Sequence, residues 1–267
     1  MLLKLAKHLA RGARLELDVT PKPGLVDRHD SGAHRDLTYA SMRASVALLP
    51  QYYDDLIARL RAGEPLSACI DAGRRAEKRM LAKIGSNAHR GYIFLSGLTL
   101  IATHRVAGNI RALPRGIAEA ACEFFRNAPP EPSHGASARR RFSVRGIRGE
   151  AEAGLPCIFA AAWPHYAASL RRDRDEARAA FCALASLMQC VEDTTALHRC
   201  GVGGLLRLRR DGQALELLLN RGSDPRPFLR ARNAAYRQAG LTMGGIGDCL
   251  ALTLALHDCF ARDRRCR

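Results

Sequence analysis

The nine cysteines, at 69, 122, 157, 182, 190, 200, 249, 259 and 266, include no Cys-x-x-Cys pair. That absence removes the usual zinc framework. Cys69, Cys182 and Cys249 sit in apolar helical contexts, where a free thiol behaves as a small hydrophobe. A reducing compartment is expected. No apolar run is long enough to span a bilayer; the longest, around Tyr92 to Ala102, is too short. The amino-terminal stretch alternates apolar and basic residues and has no uninterrupted apolar core or cleavage site, so no signal peptide is read. A soluble cytoplasmic protein without membrane partners is expected. There is no period-two run of β-branched residues, which excludes an obvious sheet. No fixed-period repeat and no linker divides the chain. Acidic residues are scarce beside basic ones, 26 against 42.

The basic excess predicts attraction to polyanions: nucleic acid, an anionic membrane or a phosphate-rich small molecule. Most of it is arginine, whose planar fork matches phosphate bidentately. A high-GC genome produces the same composition. At 267 residues the chain can bury a substantial core without staples.

Apolar residues recur at helical spacing almost throughout. Met1 to Asp18 reads as an amphipathic helix with Leu2, Leu5, Leu9, Ala13 and Leu17 on one face. Leu37 to Ala62 is helical, with Pro50 expected to kink or split it. Further helices are read over Leu66 to Ile84, Tyr92 to Val106, Arg115 to Arg126, Leu155 to Leu170, Asp175 to Val191, Leu205 to Leu219 and Pro227 to Ala239. A last one runs from Cys249 to Phe260. Asn127 to Gly149 reads as irregular, and Gly201-Val202-Gly203-Gly204 as a turn. The expectation is an all-α fold: a single compact multi-helix domain over 1–267, with polar loops converging on a central pocket.

Five junctions between helices combine glycine with acids, imidazoles or guanidinium groups. Gly85-Ser86-Asn87-Ala88-His89-Arg90-Gly91 lies between two helices. Its glycines permit a sharp turn and close approach, and the next helix offers backbone N–H groups to an anion. Thr20-Pro21-Lys22-Pro23-Gly24-Leu25-Val26-Asp27 continues through His29 to Ser31-Gly32-Ala33-His34-Arg35-Asp36. Its prolines and glycines exclude a helix, and its side chains are those that carry chemistry in loops. The others are Ser133-His134-Gly135 with Gly146-Ile147-Arg148-Gly149-Glu150-Ala151-Glu152-Ala153-Gly154, Asp193-Thr194 with His198-Arg199, and Gly244-Gly245-Ile246-Gly247-Asp248.

In this order the motifs resemble the signature of the triphosphoribosyl-dephospho-coenzyme A synthase family, over essentially the whole chain. Three positions depart from it. Ala88 stands where the family usually has threonine, Cys200 where it has glycine, and Gly-Gly-Ile-Gly-Asp where it has Gly-Gly-Ser-Ala-Asp. The lost hydroxyls either weaken phosphate contacts or fit another acceptor alcohol. The resemblance implies an all-α enzyme that joins ATP to 3′-dephospho-coenzyme A and releases adenine. Its product would be the prosthetic-group precursor for the acyl-carrier subunit of citrate lyase or malonate decarboxylase. A downstream carrier-protein transferase would then be a partner.

That reaction is glycosyl transfer through an oxocarbenium-like state. The triphosphate must be held, with Mg²⁺ bridging carboxylates and phosphates. The acceptor hydroxyl needs a base and the leaving adenine a proton donor. His34 and His89 are the acid/base candidates, with His29 third, because a neutral imidazole can do either job. Glu150 and Asp193 are candidate catalytic carboxylates and metal ligands. Glu150 and Glu152 point to different sides, so only one faces the site. Lys22, Arg90, Arg148 and Arg199 are expected on phosphate. Gly24, Asp27, His29, Gly85, Asn87, Gly91, Gly244 and Asp248 complete the expected binding set. Two rivals are a family member using another acceptor and a non-catalytic, basic, nucleic-acid-binding helical protein. The second is motivated by the high pI and Arg139-Arg140-Arg141; no aromatic stacking platform or nucleic-acid module supports it.

Overall fold

A computed structural model describes residues 1–86, 88–127 and 134–261. Every regular element among them is helical. The two helices without a polar face form the centre. In α5 (Arg90–Arg105) every side chain from Leu95 to Thr103 is buried. In α13 (Gly244–Phe260) nearly every residue from Ile246 to Cys259 is buried. Helices apolar all round belong in a core. One buried apolar cluster runs from Leu5 to Cys259 and takes residues from both.

The amphipathic helices wrap this centre. The first, α1 (Leu2–Asp18), buries Leu5, Leu9, Gly12, Ala13, Glu16 and Leu17 and packs along α13. A Cβ at Gly12 would lie 2.4 Å from the Ala251 carbonyl oxygen, so only glycine lets these helices approach so closely. Pro50 splits the expected Leu37–Ala62 helix into α2 (Tyr39–Val46) and α3 (Leu49–Arg61). It occupies the first turn of α3, where a missing N–H costs nothing. A reciprocal Thr38–Ser41 capping box starts α2. Next come α4 (Leu66–Ile84) and α6 (Leu113–Asn127).

Three expectations are corrected. Part of the irregular 127–149 stretch is helical, as α7 (His134–Phe142) and α8 (Gly146–Glu152). The cap of α8 comes from far along the chain: Glu192 Oε2 accepts from the N–H groups of Arg145 at 2.9 Å and Gly146 at 3.2 Å. No local pattern announces such a cap. The expected turn at 201–204 is instead a break within α11 (Thr194–Asn220), confined to Gly201 at φ 63° and ψ −161°. Leu197 and Leu205, on either side of the break, pack together on Ala138 of α7, so both flanks stay helical. The expected Leu155–Leu170 helix begins as a π-helical turn, Cys157–Ala162, before α9 (Trp163–Asp173). The chain completes itself with α10 (Glu176–Cys190) and α12 (Arg226–Ala239). Among the described residues no helix is long and apolar enough to cross a membrane.

Candidate active site

The 20–36 loop is held from within and from three later parts of the chain. Asp27 is its internal organiser: Oδ2 accepts from Lys22 N–H at 3.0 Å, and Oδ1 from the N–H groups of His29 at 2.8 Å and Asp30 at 3.2 Å. Asn233 on α12 accepts from Gly24 N–H at 2.9 Å and donates to Asp30 Oδ2 at 2.7 Å. Arg199 on α11 donates to the Ala33 carbonyl at 2.9 Å. His34 Nε2 lies 2.9 Å from the hydroxyl of buried Thr242. His29 is exposed.

So held, the loop forms one side of a cleft with α1, α2, α5 and α13. Glu16, Val26, His34, His89, Tyr92, Gly244 and Asp248 line it, and Leu37, Met42 and Ala88 form an apolar wall. Glu16 and Asp248 are its acids among the described residues. Lys22 is only 1% exposed. Its ammonium donates to the Glu16 carboxylate at 2.5 Å and to the Glu16 carbonyl at 2.6 Å. Burial still raises the Glu16 carboxyl, against the pull of Lys22. The Asp248 carboxyl is pushed well above the usual carboxylate range by burial, then by Glu16 and Asp193, and one N–H from Tyr92 opposes this only in part. Both carboxyls are thus raised, while Lys22 favours the ionised form of Glu16 and the Glu16 charge favours the protonated form of Asp248.

His89 precedes the first turn of α5 and is buried. Its Nδ1 lies 2.6 Å from Ser45 Oγ on α2. Burial, then the nearby Lys22 charge, pulls His89 down to about 4, so its imidazole is neutral at physiological pH. His34 is also lowered, by burial and then by Arg199.

Gly91 is where α5 meets Asp248: a Cβ there would sit 2.0 Å from Asp248 Oδ2. Gly91→Ala is therefore expected to destabilise by about 1–3 kcal/mol, the cost of overpacking, read as a lower urea midpoint. An ordinary helical Gly→Ala change stabilises by up to about 1 kcal/mol; a raised midpoint would show that the close approach is wrong.

The other expected residues are engaged elsewhere. Asp193 caps α11, accepting at Oδ1 from Thr195 and Ala196 N–H, both at 2.9 Å. Its Oδ2 accepts from Ile246 N–H at 2.9 Å, and Gly245 N–H adds to the set. One buried carboxylate thus ties the starts of α11 and α13 together. Glu150 Oε2 accepts from Cys157 N–H at 3.2 Å. Arg148 pairs with Glu152 at 2.9 Å and lies over the Phe125 ring at 4.2 Å. Arg90 pairs with Glu77 at 3.2 Å and is half-exposed. Gly85 ends α4 in a left-handed conformation, and Gly244 opens α13 beside Thr195. Asn87 and Ser133 lie outside the described residues.

Sequence reasoning missed Glu16, Ser45, Tyr92, Asn233 and Thr242. Glu16 left one legible signal, an acid on the buried stripe of an amphipathic helix. Ser45 left none.

The family model for ATP:dephospho-CoA triphosphoribosyl transferase matches residues 3–266. A probable 2-(5″-triphosphoribosyl)-3′-dephosphocoenzyme-A synthase of Azotobacter vinelandii is 38% identical, covering 93% of this chain and 89% of its own length. One from Stutzerimonas stutzeri, also described as probable, is 36% identical, over 90% and 86%. The 2-(5″-triphosphoribosyl)-3′-dephosphocoenzyme-A synthase of Klebsiella pneumoniae is 35% identical, over 90% and 89%. No solved structure matches.

Proposed function

The chain belongs to the ATP:dephospho-CoA triphosphoribosyl transferase family, and from that premise we propose that it moves the 5-triphosphoribosyl group of ATP onto the 2′-hydroxyl of 3′-dephospho-coenzyme A, releasing adenine. The observation that carries this reading is the pairing, in one cleft, of a neutral imidazole, His89, with a carboxyl, Asp248, whose protonated form burial and the neighbouring acids favour. Displacement at the ribose C1 needs one group of each kind.

His89 takes the proton of the 2′-hydroxyl as its oxygen bonds to C1. The C1–nitrogen bond of ATP breaks, and adenine keeps the electron pair and receives the Asp248 proton. Glu16, ionised against Lys22, supplies negative charge beside the cleft as the ribosyl group becomes cationic. His34 is the second imidazole available to orient substrate. Asp193 acts through the helix ends it ties, and Arg90, half-exposed at the start of α5 beside Glu77, is the cation assigned to phosphate.

Magnesium would arrive bound to the triphosphate and would offset its charge. Of the carboxylates expected to hold it, Asp193 does not fit, since it already accepts four backbone N–H groups, whereas Glu150 accepts one at Oε2 and would keep an oxygen for the ion. Among the described residues no three His, Cys, Asp or Glu side chains cluster as metal ligands. The steps above need only the protein's own groups. The product is the precursor of the prosthetic group of an acyl-carrier subunit, which a downstream transferase would attach.

The test is chromatography of a mixture of protein, ATP, Mg²⁺ and 3′-dephospho-coenzyme A, with a control lacking the acceptor. Acceptor-dependent adenine, with a product of the summed mass less adenine, is the expected result. Faster release with a different alcohol would move the proposal to that acceptor; no release with any acceptor would end it.

A further inference from the structure

Ser45 lies in the last turn of a short helix, is fully buried, and belongs to none of the glycine-rich motifs. Its hydroxyl has two neighbours: the Met42 carbonyl at 2.9 Å and His89 Nδ1 at 2.6 Å. A hydroxyl has a single hydrogen, so the two contacts allow two arrangements. If Ser45 donates to Nδ1, the Met42 contact is not a hydrogen bond and the imidazole hydrogen sits on Nε2. If Ser45 donates to the Met42 carbonyl, Nδ1–H donates to Ser45 Oγ. The second arrangement makes two hydrogen bonds where the first makes one. Buried polar groups settle into the arrangement that satisfies more of them.

The second arrangement also bears on chemistry. His89 lines the cleft. With hydrogen on Nδ1, its other nitrogen carries a lone pair and is the basic edge of the ring. Among the described residues Ser45 is the one hydrogen-bond partner of that ring. Lys22 faces the same ring and opposes a second proton. Tyr92, in the first turn of α5, meets it edge-on at 6.4 Å between ring centroids and holds its own hydroxyl on the Leu9 carbonyl at 2.7 Å.

We propose that Ser45 is a positioning residue that locks His89 in the Nδ1–H tautomer, so that Nε2 meets the acceptor hydroxyl as a base. The role of His89 as base rests on the functional reading above; the lock itself does not. The hydroxyl proton passes to Nε2 while Nδ1–H stays on Ser45. The resulting imidazolium is stabilised by the Ser45 oxygen and releases its proton to solvent after product leaves.

The test uses the full chain labelled with ¹⁵N-histidine. Long-range ¹H–¹⁵N spectra near pH 7, with His89 assigned by its loss in His89→Gln, report which ring nitrogen is protonated. Wild type is expected to show Nδ1 protonated and Nε2 bare. Ser45→Ala is expected to shift the ring toward the Nε2–H form, and to lower kcat for adenine release by about tenfold or more, as losing the orienter of a catalytic imidazole does. KM should change little. A wild-type His89 protonated on Nε2 overturns the lock, and so does a Ser45→Ala protein with an unchanged tautomer. The wild-type spectrum decides even if Ser45→Ala folds poorly. Absence of adenine release by wild type would instead overturn the functional reading, while the spectra would still decide the lock.

Discussion

Asp248→Asn lowers acceptor-dependent adenine release by at least about 100-fold, the lower end of what a general acid contributes. The amide keeps the shape of the carboxyl but has no proton to give. Its oxygen can still accept the Tyr92 N–H that Asp248 holds, so far-ultraviolet circular dichroism should be unchanged. The pH profile of kcat/KM is the sharper measurement. In wild type the acid limb set by His89 falls near pH 4, where that ring takes a proton, and not near the ordinary histidine value of about 6.5. The alkaline limb is the loss of the Asp248 proton, at a pH raised by burial, Glu16 and Asp193. Asp248→Asn removes that alkaline limb and leaves the acid limb in place. An Asp248→Asn enzyme with near-wild-type rates and both limbs intact would exclude Asp248 as the acid.

The same shifts act on stability with opposite signs. His89 binds its proton less readily when folded. Its contribution is complete above about pH 6.5, the unfolded value, and is lost as pH falls toward about 4. Asp248, Glu16 and Asp193 are all raised, so the folded state holds their protons longer. Their effect on stability grows more unfavourable as pH rises through each raised value.

Lys22→Met destabilises by about 3–5 kcal/mol, the cost of removing one partner of a buried ion pair. Glu16 would remain buried with no cation, and its carbonyl would lose the Lys22 donor as well. For a chain of this length the melting point falls by roughly 10 °C. Combining Lys22→Met with Glu16→Gln should recover most of the loss, because no buried charge is then left unpaired. The double variant should still be slow, since the proton on Asp248 depends on its charged neighbour. A Lys22→Met protein that melts with wild type would mean Lys22 is not the partner of Glu16, and would return it to the phosphate role its sequence motif suggests.

The helical periodicity was legible along most of the chain because it comes from local packing against one core. Pro50 announced the split between α2 and α3, and the fully apolar stretches after His89 and after Asp248 announced the two central helices. The motifs marked the loops and helix starts that supply His34, His89 and Asp248. They did not show which charged groups already have partners. Lys22 and Arg199 read alike in sequence, as cations in glycine-rich loops. One is buried on Glu16 and the other braces the Ala33 carbonyl. Asp193 read as an acid in a polar motif; its four backbone donors come from two helices about fifty residues apart in sequence.

What the sequence determined by itself was the helical class, most of the helices in their order, the family and the junctions that carry polar chemistry, because periodicity, proline and glycine act within a few residues. What only the tertiary structure decided was the pairing of Glu16 with Lys22, of Ser45 with His89 and of Gly91 with Asp248, and the capping of α8 by Glu192. Each of those contacts joins different elements, and three of the four span more than forty residues. Hydrogen bonding and burial depend on distance in space, which local pattern does not encode.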